Sequence, residues 1–154
     1  MPVISVLHGH CLGAGLQLAL ATDIRIATAD CQFAIMEAKW GLVADMGLTQ
    51  SAMGVLRADI VKELAMTARI FDGQQAFDYG VVSHLSDTPM EVAKNLVAEL
   101  SNRSPDAILA SKRITNAMYH TPATTLYQEK LWQIKLLLGQ NRKLAVKKAK
   151  DETV

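Results

Sequence analysis

The chain of 154 residues is poor in cysteine, in aromatic residues and in excess charge of either sign. Its two cysteines, Cys11 and Cys31, lie in no CxxC or Cys/His spacing, so we expect buried free thiols and no metal site. A formal net charge of +1 disfavours a nucleic-acid partner, because such proteins carry basic patches that contact phosphates. No apolar run approaches the roughly 20 residues that span a bilayer. With no visible signal peptide either, we expect a cytoplasmic protein without a membrane partner.

The strongest pattern lies near the start of the chain. Residues 3–7 form a short β-branched run that is typical of a buried strand, and closely spaced glycines then let the backbone turn into a helix beginning near Ala14. The N–H groups in the first turn of a helix lack intrahelical acceptors, so they suit an anion or a developing oxyanion. A dinucleotide-binding fingerprint is a poor alternative, because Leu18 stands where the third glycine would be.

Two further strands follow this helix, and the second of them ends at the carboxylate of Glu37. Strands and helices alternate to about Leu85 and then give way to helices, which predicts an α/β fold divided into residues 1–86 and a helical region 87–154. Local signals predict a helix near Leu48, a helix over residues 60–68, a helix between Asp72 and Gly80, a short strand or extended segment over 81–85, and helices after Thr88-Pro89, Ser104-Pro105 and Thr121-Pro122.

These residues together resemble the enoyl-CoA hydratase/isomerase family, also called the crotonase family, and most closely its dienoyl-CoA isomerase-like branch. The resemblance rests on SVLHGHCLGAGLQLALATDIRIATADCQFAIME and on KELAMTARIFDGQQAFDYGVVSHL. It implies a crotonase-like β-β-α spiral whose N-terminal part is missing here, since the chain opens on what reads as a central strand. It also implies a C-terminal helical trimerisation region, and hence a homotrimer or hexamer.

The resemblance assigns an oxyanion hole to the Gly-Ala-Gly turn. One donor matches the backbone N–H of Ala14, and Gly13 and Gly15 on either side match substrate-binding positions. The acyl pocket extends to Trp40 and Gly41 in the loop after Glu37. Without this role, Gly13 and Gly15 would serve close packing of the helix on the strand.

Three further positions match the acid and base residues of the family. Glu37 matches a catalytic glutamate, and Asp45 follows it at the interval seen in the dienoyl-CoA isomerase branch. Gln17 stands where both the hydratases and this branch carry an acid, and an amide cannot take up a proton. The alternatives are a solvated carboxylate at the strand end for Glu37 and an ordinary loop aspartate for Asp45.

The resemblance therefore favours an acyl-CoA-binding protein that moves double bonds rather than adding water. A CoA thioester is the expected substrate, and no cofactor is expected. Two alternatives remain at this point: a catalytically silent acyl-CoA-binding module, suggested by Gln17, and a structural oligomer subunit that binds no thioester.

Overall fold

The structure of the chain is a computed structural model, and it describes residues 1–119 and, beyond them, residues 131, 134–135, 138–141, 143–144 and 147. Short strands alternate with helices in its first part, as predicted. The elements are β1 (Ile4–Leu7), β2 (His10–Leu12), α1 (Ala14–Leu20), β3 (Ile24–Ala27), β4 (Gln32–Ala34), a 3-10 turn (Glu37–Trp40), α2 (Leu48–Ala52), α3 (Ala58–Thr67), α4 (Gly73–Asp78), β5 (His84–Leu85), α5 (Pro89–Ser101), α6 (Pro105–Asn116) and a second 3-10 turn (Ala117–Tyr119).

The strands form two parallel sheets. One has three strands in the order β1-β3-β5, with Ile4 opposite Ile24 and Ile26 opposite His84. The other pairs β2 with β4, with Cys11 opposite Phe33. The sequence did not predict β2, because its three residues follow Gly9 too closely to show a strand pattern of their own.

Contacts divide the chain into two units, Val3–Lys94 and a second made of Met1–Pro2 with Asn95 onward. The first unit holds the hydrophobic core, in which small and large apolar side chains from the strands meet the buried faces of α1, α3 and α4. Its fully or nearly fully buried members are Cys11, Leu16, Ala19, Leu20, Ala27, Cys31, Phe33, Ile35, Leu48, Ala52, Leu64, Phe71, Ala76, Val81 and Val82. The boundary after residue 86 stays a prediction.

The predicted helix signals agree with the structure where it describes them. Asp72 caps α4 through a reciprocal pair of hydrogen bonds with Gln75, and Gly80 follows the C-cap of that helix. Ser104 caps α6, which begins at proline as predicted. The predicted strand over 81–85 is shorter, at His84–Leu85. The helix predicted after Thr121-Pro122 lies outside the described residues.

A buried arginine on β3 was not foreseen. Arg25 donates to the carbonyl oxygens of Val81 and Thr22, each at 2.6 Å, and so joins β3 to the segment before β5. Burial lowers the pKa of its guanidinium, and the charge of Asp23 opposes that change. Arg25 lies between Ile24 and Ile26 in the sequence, and nothing in that pattern indicates that its side chain is buried and joins two segments.

Both cysteines are buried free thiols, which confirms the prediction for them. Within the part of the chain that the structure describes, no three or more His, Cys, Asp or Glu residues form a group that could hold a metal ion. Nor does any helix there have the length and apolar character needed to cross a membrane.

Candidate functional site

The turn into α1 is held against β4 by one backbone hydrogen bond. Gly13 adopts φ 53° and ψ −119°, a conformation that favours glycine, and its N–H donates to the carbonyl oxygen of Ala34 at 2.8 Å. Ala14 is then the first helical residue and is exposed, as is Gly15. Because N–H groups of the first helical turn have no acceptor inside the helix, the N–H of Ala14 is suited to an external acceptor.

Glu37 lies just beyond the buried end of β4 and begins the 3-10 turn. Gly41, at φ 68°, closes that turn. The Oε1 atom of Glu37 accepts a hydrogen bond of 2.6 Å from the Nε2 atom of Gln17. A Cβ atom placed on Gly13 would lie 3.7 Å from the same Oε1, so the carboxylate lies against the turn that begins α1. Its Oε2 atom is buried and has no hydrogen-bond partner among the described residues.

Gln17 lies on the buried face of α1 and is only 1% exposed. Its Nε2 atom donates to Glu37, and its Oε1 atom accepts the backbone N–H of Met46 at 2.9 Å. One amide side chain therefore joins helix α1, the carboxylate after β4 and the loop before α2. Buried amides need such partners, because an unpaired buried polar group costs about 1–3 kcal/mol.

The other predicted site residues lie on the exposed loop after Glu37. Trp40 is 70% exposed, and the Nζ atom of Lys39 lies 5.6 Å from the centre of its ring. Gly41 and Asp45 are exposed as well. Within the described residues the carboxylate of Asp45 makes no hydrogen bond or ion pair, and its link to the site is the N–H of the next residue, Met46.

This loop and the residue that follows α2 carry several exposed apolar side chains. They belong to the segment between Glu37 and α3 and face away from the core. The members are Trp40, Leu42, Val43, Met46 and Met53. Exposed apolar groups concentrated in one segment are typical of a surface that binds something apolar.

The structure thus brings Gly13, Gln17 and Glu37 together, with Ala14 at the adjacent helix start. It leaves Trp40, Gly41 and Asp45 on the surface loop. The sequence missed the contribution of Met46, because a backbone N–H from a loop has no signature in residue types. Chemically, the arrangement offers one engaged and one unengaged carboxylate oxygen beside N–H groups that can polarise a carbonyl.

A family profile described as enoyl-CoA hydratase/isomerase matches residues 1–147. The chain belongs to the enoyl-CoA hydratase/isomerase family. The predicted family is therefore confirmed, and with it a crotonase-like α/β fold. The missing N-terminal part and the C-terminal trimerisation region stay predictions.

Curated relatives come from more than one branch of this family. The mitochondrial Delta(3,5)-Delta(2,4)-dienoyl-CoA isomerase of Homo sapiens is 35% identical over 147 residues, which cover 91% of this chain and 44% of the relative. The carnitinyl-CoA dehydratase of Salmonella typhimurium is 36% identical over 129 residues, which cover 82% of this chain and 49% of the relative. The chain spans about half the length of these relatives.

Solved structures of family members match the fold closely. An enoyl-CoA hydratase from Mycobacterium tuberculosis superimposes with a TM-score of 0.89 at 29% identity, covering 97% of this chain and 61% of that one. A protein of Thermobifida fusca described as an enoyl-CoA hydratase, crystallised in complex with acetoacetyl-CoA, gives a TM-score of 0.83 at 30% identity, covering 88% and 54%.

Proposed function

We propose that this chain binds an acyl-CoA thioester and catalyses the migration of a double bond through an enolate. The observation that carries the proposal is the pair formed by Gln17 and Glu37. Their hydrogen bond engages Oε1, the oxygen beside the turn that begins α1, and the buried Oε2 of Glu37 has no partner among the residues that the structure describes. That arrangement supports a single base acting beside a group that stabilises negative charge.

The oxyanion donor in this proposal is the N–H of Ala14. The thioester oxygen accepts from it as negative charge develops on the enolate. Donors of this kind are worth about 10²–10³ in rate when they are aimed at the developing charge. Ala14 is exposed at the start of α1 and lies next to Gly13, whose position close to Glu37 supports a shared site.

The proton steps assign different roles to two carboxylates. Glu37 removes a proton from the α or γ carbon of the unsaturated acyl group, and the electrons of that C–H bond move into the thioester to form the enolate. Asp45 gives a proton to a more distant carbon as the enolate collapses. The proton on Glu37 returns to Asp45 through solvent before the next turnover, and no water adds to the product.

Gln17 supports migration over hydration. Adding water to a double bond needs a second group that takes up or gives a proton, and an amide does neither. The dienoyl-CoA isomerases are among the similar relatives, which also supports the assignment. The T. fusca complex with acetoacetyl-CoA supports a CoA thioester as the ligand class.

The second candidate is a catalytically silent acyl-CoA-binding module, and Gln17 is the observation that favours it. Both candidates include assembly as a homotrimer or a hexamer of two trimers. Sedimentation as a clean monomer would argue against that assembly.

The isomerase and the silent module differ in turnover, so measuring binding and turnover together separates them.

The test replaces Glu37 with Gln, which keeps an oxygen for the hydrogen bond from Gln17 but removes the base. We expect the rate of double-bond migration on enoyl- and dienoyl-CoA substrates to fall by about 10²–10⁴, the usual effect of losing a general base. A thermal melt with acetoacetyl-CoA provides the control for binding. Ligand at about 100 times its Kd should stabilise both proteins by about 2.7 kcal/mol, a rise of several degrees in Tm.

The combined outcomes decide between the candidates. Turnover that Glu37→Gln abolishes, with binding retained, supports the isomerase. Binding without turnover in the unsubstituted chain supports the silent module. An unchanged rate in Glu37→Gln would exclude Glu37 as the base, and no rise in Tm for either protein would exclude acyl-CoA binding by this chain.

A further inference from the structure

We propose that Gln17 is a positioning residue that selects Oε2 of Glu37 as the proton-accepting oxygen. Gln17 does so by engaging Oε1, while its own orientation is fixed by the loop at Met46. This inference rests on the proposed function and deepens it, because it names the reacting atom and the group that aims it. It also links the acyl-binding loop to the base through one side chain.

The orientation of the amide follows from its two neighbours. A backbone N–H can only donate, so the N–H of Met46 must meet the oxygen of the Gln17 amide. The NH₂ group is thereby turned toward Glu37 and donates to Oε1 at 2.6 Å. The reverse orientation would set two donors against each other at Met46 and two acceptors against each other at Glu37. The loop therefore decides which end of the amide faces the carboxylate.

The burial of Gln17 keeps its amide in this orientation. The residue is 1% exposed and lies in α1 between Leu16 and Leu20, both of which are core side chains. Packing on both sides restricts its rotamers, so the hydrogen bond to Glu37 is pre-organised rather than formed on demand. The turn at Gly13 borders the same carboxylate, since a Cβ atom there would lie 3.7 Å from Oε1, an ordinary van der Waals contact.

The two carboxylate oxygens of Glu37 therefore differ in their hydrogen bonding. Oε1 is engaged by an amide that can give a hydrogen bond but cannot accept a proton. Oε2 is buried and has no partner among the described residues, although buried polar atoms are nearly always hydrogen-bonded. Because Oε1 is already engaged by Gln17, Oε2 is the oxygen left to accept a proton from a substrate C–H group.

The test is Gln17→Met, which keeps the length of the side chain and removes both hydrogen bonds. We expect kcat for double-bond migration to fall by about 10–100-fold, because a misplaced catalytic group costs up to about 10² in rate. KM should change by less than about threefold, since the thioester contacts are not altered. Gln74→Met is the matched control, because Gln74 lies on the exposed face of α4 and bonds only Asp78 among the described residues. Its kcat should equal that of the unsubstituted chain.

A second measurement can be made on the unsubstituted chain alone, and the variant then extends it. Hydrogen exchange of the unsubstituted chain, followed by NMR, should show the N–H of Met46 exchanging at least about tenfold more slowly than its neighbours Asp45 and Gly47 in the same exposed loop. In Gln17→Met that protection should disappear. Equal exchange across these three residues in the unsubstituted chain would overturn the proposed orientation of the amide.

The outcomes separate this inference from the function on which it rests. An active chain whose kcat is unchanged by Gln17→Met overturns the positioning role and leaves the isomerase assignment standing. A fall in kcat together with a large rise in KM would show that Gln17 shapes the binding site instead. A chain that turns over no enoyl- or dienoyl-CoA overturns the proposed function and the role of Oε2 together. The exchange of Met46 then still decides whether Gln17 holds the loop.

Discussion

The chain changes character within a few residues on either side of Glu37. Behind it, Phe33, Ala34 and Ile35 are almost completely buried, whereas ahead of it Trp40 is 70% and Val43 80% exposed. The contrast shows that the carboxylate lies at a boundary between a packed region and a solvated loop. The proposed base therefore follows a tightly packed segment and precedes an exposed one.

The two regions differ in how their backbones are held. Strand β4 pairs with β2 on one side, and on the other side Phe33 exchanges two backbone hydrogen bonds with Phe71, of 2.8 and 2.9 Å. The rings of Phe33 and Phe71 also stack, with centres 5.7 Å apart. The loop ahead of Glu37 has the turn closed by Gly41 and the bond from Met46 to Gln17. Substitutions on the two sides should therefore have very different effects.

The largest effect is expected from Gly73→Ala on the packed side. A Cβ atom at Gly73 would lie 2.2 Å from the carbonyl oxygen of Thr28 and 2.9 Å from the Cα atom of Ala29, in the turn that leads into β4. Backbone atoms cannot move aside as a flexible side chain does, so we expect a loss of at least about 4 kcal/mol in the free energy of unfolding. Chemical denaturation measures the loss. A larger loss would leave the variant unfolded, which circular dichroism would show.

Gly15→Ala is the control for that change, because nothing lies within 4 Å of the position its Cβ would take. Replacing a helical glycine with alanine reduces the entropy lost on folding, so stability should stay level or rise by up to about 1 kcal/mol. If Gly73→Ala and Gly15→Ala lost equal free energy of unfolding, the close backbone contacts at Gly73 would not be the cause of the loss.

An intermediate effect is expected from the buried thiols beside β4. Burial, with a smaller contribution from the negative charge of a nearby group, raises the pKa of both Cys11 and Cys31 to about 11; that group is Cys31 in the first case and Asp30 in the second. At pH 8 their thiolate fractions should be about 100-fold lower than for ordinary thiols, so alkylation by iodoacetamide should be correspondingly slow. Mass spectrometry after timed exposure gives the rates, and unfolding in urea should restore them.

The same thiols make stability depend on pH in a defined direction. Because the pKa of each thiol is higher in the folded state than in the unfolded state, the unfolded chain loses protons first as the pH rises. Stability from this source is complete below about pH 9 and is lost between about pH 9 and 11. Rapid alkylation at pH 8 in the folded protein would show that the β2–β4 region opens readily.

The smallest effect on stability is expected from Trp40→Ala in the exposed loop. The side chain is mostly exposed and contacts Lys39, so the free energy of unfolding should change by less than about 0.5 kcal/mol. Binding of long acyl-CoA thioesters should weaken instead, because an indole surface offered to an acyl chain contributes about 25 cal/mol per Å² covered. Binding titrations with a long acyl-CoA and with acetoacetyl-CoA distinguish the two, and a fall of many degrees in Tm would contradict the exposed position.

The sequence predicted the parts of the fold that depend on local signals. The turn at Gly13, the helix start at Ala14, the helix start at Leu48 and the cap at Asp72 all depend on residue types a few positions apart. It placed a loop directly after Glu37, where the structure has one 3-10 turn before the loop begins. It also missed β2, which is a strand only because β4 lies beside it.

The site was predicted less completely, for a physical reason. The resemblance named Gln17 and Glu37 separately, but their contact and the contribution of Met46 arise from tertiary packing across 20 and 29 residues of chain. The structure shows Gln17 as a partner of Glu37, and the catalytic role that the resemblance assigned to it stays a prediction. Asp45 also stays a prediction, since its carboxylate has no contact among the described residues that would fix it.

The hydrogen bond from Gly13 to Ala34 has a consequence for protein engineering. It gives the proposed oxyanion donor and the proposed base one common reference point on β4, independent of the residues that follow Gly41. The loop of residues 42–44 can therefore be exchanged for one of another length to accept a different acyl group. A grafted loop must satisfy two conditions, which are to keep the carboxylate of Asp45 beside the site and to return one backbone N–H to the oxygen of Gln17.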